Sequence, residues 1–152
     1  MRGGTMRDAG VEGSLRSIGS IAEIRARLRA RPLRLVLVAI AVITVFSGLI
    51  QVVAPGLVLR FLSVTRTAAT KQLFATIGMF MMLFGAVLIH ALIDRKDHPV
   101  VVLWTSLQKF GASIAVVIGV GRNVFSPLAL LVASFDLLSG VLGLVYWSSI
   151  RS

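Results

Sequence analysis

Two residues in this chain carry charge where charge is costly. Lys109 lies inside the apolar run Val100–Val120, and Asp136 lies inside the run Pro127–Trp147. A charge at the centre of a bilayer costs about 2.5–3.5 kcal/mol on insertion scales, so two unpaired ones would weaken insertion of both runs. The connector Gly121–Arg122–Asn123 falls at their sequence midpoint. Antiparallel helices folded about it would bring both charges to the same depth, ~15 Å from either edge of a ~30 Å slab. Attraction between opposite charges strengthens at low dielectric, so pairing removes much of the penalty. Such a pair could serve as a proton or ion relay, or as a seat for a polar substrate group. The alternative is a structural pin that fixes helix register, within the chain or between protomers.

The neighbours of the pair favour a helix–helix contact over a lipid-facing position. Thr105, Lys109, Ala112, Val116 and Gly119 follow steps of four, three, four and three. Ala129, Ala133, Asp136, Gly140, Gly143 and Trp147 follow a matching pattern, mostly of small residues that let backbones approach. Thr105 and Gln108 beside Lys109, and Ser139 near Asp136, supply hydroxyl and amide groups that could extend a polar patch or merely satisfy the charges.

Other chemistry finds little purchase. With no cysteine there is no disulfide, thiol nucleophile or Cys metal site. His90 sits near the end of one apolar run and His98 in the loop after it, so a haem between two intramembrane histidines lacks its ligands. His90 reads as an interfacial polar residue; Asp94 and Asp97 nearby leave room for no more than a weak metal site. No glycine-rich phosphate loop and no Ser/His/Asp array is present. The expectation is therefore no catalytic residue, no metal and no cofactor, and the reading leans away from an enzyme.

The elements that must position the pair follow from composition. The 152 residues are 57% hydrophobic and 14% charged, against about 45–50% and 25% in soluble domains. The apolar excess falls in four blocks, near 33–54, 73–93, 100–120 and 127–147. Each is long enough for a membrane-spanning helix. All four prolines lie at block boundaries, where a missing N–H costs least. The expected fold is all-α: a polytopic membrane protein with a four-transmembrane-helix bundle over 33–152. In the first block Thr44, Ser47 and Gln51 are the polar interior positions, and Pro55–Gly56 stops the helix. The segment Gly56–Thr70 reads as a short amphipathic turn at the interface. Ala75, Gly78, Met82 and Gly85 form a seam of close approach in the second. Ser126 and Pro127 are the expected N-cap and first position of the fourth.

Residues 1–32 form a basic tail, largely disordered by composition, with a short interfacial helix as one option for 21–31. Arg25, Arg27, Arg29 and Arg31 there suit anionic headgroups. The net charge of +10 thus points to a membrane surface; no aromatic platform accompanies the arginines, so no nucleic acid is expected. With the N-terminus inside, Lys and Arg divide eleven to four in favour of the cytoplasmic side. Both termini are then cytoplasmic, and Trp104, Tyr146 and Trp147 gather at that interface as belt aromatics.

Span count, short second and third loops and glycine-rich helices over Leu35–Trp147 resemble the small four-helix bacterial membrane proteins called DoxX-like. The resemblance implies a bacterial-type cytoplasmic membrane and transfers no site residue. The membrane glutathione-transferring family has the same size, but its acidic and arginine-rich helical motifs are missing. Three functions stay open: an accessory or assembly component, alone, as a homo-oligomer or with another membrane subunit; a small carrier or proton-coupled transporter using Lys109 and Asp136; and a membrane enzyme acting on a lipid or quinone.

Overall fold

The computed structural model describes residues 32–94 and 96–151. The tail arginines Arg25, Arg27, Arg29 and Arg31 lie outside the described residues. Among the described residues five helices run in order: α1 (Pro32–Val53), α2 (Pro55–Phe61), α3 (Ala68–Ile93), α4 (Pro99–Gly121) and α5 (Ala129–Arg151). All but α2 are long and apolar enough to cross a membrane, and the chain is an all-α, multi-pass membrane protein.

Antiparallel packing follows from the core. Leu37 near the start of α1, Leu92 near the end of α3, Val102 near the start of α4 and Tyr146 near the end of α5 share one buried cluster. Two kinds of close approach set the helix spacing. On α1 and α3, a Cβ placed on Gly48 would meet the Gly78 carbonyl at 2.5 Å, and one on Gly78 would meet Gln51 Cβ at 2.6 Å. On α4 and α5, a Cβ on Gly143 would collide with Ser106 Oγ. Ser113 Oγ donates to the Ala133 carbonyl at 2.9 Å, adding a polar clasp to that second seam.

Four local features depart from expectation. The segment after α1 forms a helix: Pro55 starts α2 after a one-residue break at Ala54, and Leu59 and Leu62 are buried. Pro55 is suited to the first turn because its missing N–H has no helical partner there. Ser63, at φ 59°, closes α2; Ser63 N–H reaches the Arg60 carbonyl and Val64 N–H the Leu59 carbonyl, the paired bonds of a left-handed helix stop. Second, α3 starts at Ala68, before the apolar run, because Thr67 Oγ1 accepts from Thr70 N–H at 3.1 Å. Third, Ser126 does not cap α5, which begins at Ala129 and ends at Arg151. Its N–H instead donates to the Leu62 carbonyl at 3.1 Å, tying the α4–α5 turn to the end of α2. Fourth, Tyr146 is not a belt residue: it is 3% exposed in the core, whereas Trp104 faces outward and Trp147 lies under the Arg151 guanidinium, 4.4 Å from ring centroid to Cζ.

Arg34, charged and inside the first apolar run, has a structural task. Its Nε–H donates to the Leu92 carbonyl at 2.5 Å and its Nη2 to the Asp94 carbonyl at 2.7 Å. A cation on the last carbonyls of α3 satisfies acceptors the helix itself cannot, and complements the negative end of its dipole.

Candidate intramembrane polar site

Lys109 Nζ donates to Asp136 Oδ1 at 2.6 Å, with both side chains at least nine-tenths buried. The Nζ also lies 5.4 Å from the Phe135 ring centroid, within cation–π range. The two charges meet at one depth, as the connector midpoint predicts. One turn further along the antiparallel pair, the Ser113 bond to the Ala133 carbonyl holds α4 and α5 in that register.

Two spaces meet at Lys109. A small cavity of about 20 Å³ at the junction of α1, α3, α4 and α5 is lined by Thr44, Thr105, Ser106, Gln108, Lys109 and Ser139, together with apolar groups. A water needs about 10–15 Å³ and two to four polar partners, so the space fits one. The hydroxyl hydrogens there are already used: Thr44 on the Ile40 carbonyl, Thr105 on Val101, Ser106 on Val102 and Ser139 on Phe135. Their lone pairs remain as acceptors.

The second space is a cleft of about 380 Å³ between α1 and α5, with Lys109 and Asp136 in its lining. Its apolar walls include Ile43, Ile50, Leu131, Val132 and Phe135, and Val58 of α2 borders it. Ile43, Ile50, Leu131 and Val132 are 45–70% exposed, so the cleft opens sideways, onto the surface that faces lipid. Thr44, Ser47 and Gln51 all line it as well. Their i, i+3, i+7 spacing makes one stripe on α1 about 10 Å long, running from the α2 end to the ion pair. Gln51 Nε2 lies 3.3 Å from Met81 Sδ, and its buried Oε1 has no hydrogen-bond partner.

No protein-family model matches the chain, and neither does any curated protein sequence or solved structure. The functional reading therefore rests on this site alone.

Of the residues the sequence singles out, the structure gathers Thr105, Gln108 and Ser139 with Lys109 around the small cavity. His90 is apart from them, exposed on α3. His98 Nε2 pairs with Asp94 Oδ2 at 2.6 Å in the α3–α4 loop, and no group of three potential metal ligands converges among the described residues. Sequence reading missed Ser106 and Ser113, which share the buried face of Lys109, and the convergence of the α1 stripe on the pair. The stripe's helical spacing was the available signal; which neighbour it faced was not.

Proposed function

We propose that this protein binds a small amphiphile from within the bilayer and seats its polar group against Lys109 and Asp136, as a binding protein or carrier does. The observation that carries this is the lateral cleft: the ion pair forms part of the lining of a space of about 380 Å³ that opens to lipid. Ligand sites are typically concave, mostly apolar and of about 300–1,000 Å³, with a few convergent polar groups. A groove of similar size between α3 and α4 is lined by Phe80, Leu83, Phe84, Val87, Val100 and Trp104, among others, and has no such charges. The Lys and Arg distribution supports an orientation with both termini cytoplasmic, and the resemblance to small four-helix bacterial proteins supports a bacterial-type cytoplasmic membrane.

A second reading, an accessory subunit in which the pair is only a pin, is favoured by the tight α4–α5 seam at Gly143. Native mass spectrometry of protein extracted in mild detergent separates the two. A binding protein retains one small molecule, loses it when Ser47→Phe fills the cleft, and keeps it when Val87→Phe fills the other groove. Retention unaffected by Ser47→Phe, or no retained molecule, favours the pin.

A further inference from the structure

We infer that the occupant of the α1–α5 cleft is a neutral, hydroxyl-bearing lipid with a single chain, of the monoacylglycerol type. This deepens the binding reading above and rests on it. The site sums to zero charge: one ammonium and one carboxylate in contact at 2.6 Å. An anionic head would face Asp136, and a cationic one Lys109. Either would leave a net charge buried in hydrocarbon, which is the costly outcome that the pair itself avoids.

Hydrogen-bond inventory narrows the choice further. The Lys109 ammonium has three N–H groups and spends one on Asp136. The carboxylate has acceptor capacity beyond that single bond, and Gln51 Oε1 is a buried acceptor without a donor. The lining thus offers donors and acceptors together. A hydroxyl both donates and accepts, whereas an ether or ketone only accepts and an ammonium only donates. A head with two hydroxyls serves the pair and the stripe of Thr44, Ser47 and Gln51 at once.

Size agrees. The cleft volume of about 380 Å³ lies in the range of about 300–1,000 Å³ typical of small-ligand sites, room for a glycerol ester head and the first methylenes. The chain then continues past Leu131 and Val132, which are exposed at the rim, into the surrounding lipid. The central cavity of about 20 Å³ beyond Lys109 is too small for any head, so the lipid stops at the pair.

The test is a competition among three probes with one oleoyl chain: monooleoylglycerol, oleate and oleylamine. They are offered in equal amounts to the full chain in phosphatidylcholine nanodiscs, and the retained probe is read by native mass spectrometry. Wild type should favour monooleoylglycerol by about tenfold. Asp136→Asn should shift preference to oleate and Lys109→Met to oleylamine, each probe restoring the missing charge. The wild-type competition decides even where a variant fails to fold. Preference of wild type for oleate or oleylamine overturns the neutral-lipid inference and leaves the binding reading standing. Retention without discrimination, or none, overturns both.

Discussion

Breaking the Lys109–Asp136 contact one side at a time should cost far more than removing it whole. At 2.6 Å and an effective dielectric near 20, the gross attraction is about 6 kcal/mol. Part of that offsets desolvation, so the measurable loss on removing one partner is about 3–5 kcal/mol. Lys109→Met strands a carboxylate that is 5% exposed, and Asp136→Leu strands an ammonium in a residue that is 8% exposed. Lys109→Met combined with Asp136→Leu leaves two apolar side chains of suitable bulk and should recover most of the loss, giving a coupling energy of several kcal/mol. Equilibrium unfolding of the four proteins in lipid nanodiscs measures the cycle. Additive losses would refute the reasoning, because groups that do not share a contact do not couple. The cycle also bears on the choice of function. A double variant that is stable yet retains no ligand means the charges serve binding; one that is stable and still retains it means they serve packing alone.

Three further outcomes follow from particular contacts. Gly78→Leu must displace Gln51 and the Gly48 backbone, and should destabilise the bundle by about 1–3 kcal/mol and reduce ligand retention; thermal unfolding and mass spectrometry read the two effects. Arg34→Met removes two charge-assisted bonds to the end of α3, at a cost of about 1.5–3 kcal/mol, and hydrogen exchange should rise at residues 92–94 before it rises elsewhere. Reporter fusions after Arg151 and within the Asp94–His98 loop should signal the cytoplasm, and one within the Arg60–Thr70 segment the opposite face; a reversed signal from the Asp94–His98 loop would overturn the orientation.

Much of the bundle is legible in the sequence because bilayer thickness and helical rise leave few ways to place four apolar blocks. The seams were legible too, since Gly78, Gly85, Gly140 and Gly143 mark where backbones meet. Helix ends were not. Thr67 adds a polar turn to α3 that hydropathy does not count, and α2 looks like loop until Pro55 and the left-handed Ser63 are seen to bracket it. The pairing of Lys109 with Asp136 was legible as well, because a short connector midway between them leaves antiparallel helices little choice of register. Arg34 was hidden by its position: one arginine at the head of an apolar run resembles the basic tail beside it, and only the fold shows it resting on the end of α3. The cleft was out of reach for a different reason. Thr44, Ser47 and Gln51 visibly share a face of α1, but which helix that face meets, and whether the space between is filled, depends on three-dimensional packing.

A structure determined in a lipid bilayer, at a resolution that shows acyl chains, tests the central claim most directly. The expected result is elongated non-protein density entering between Ile43 and Leu131 and ending within hydrogen-bond distance of Lys109 Nζ or Asp136, with Gln51 Oε1 accepting from it. A cleft closed by α1 meeting α5, or filled by a helix from another chain, would contradict it.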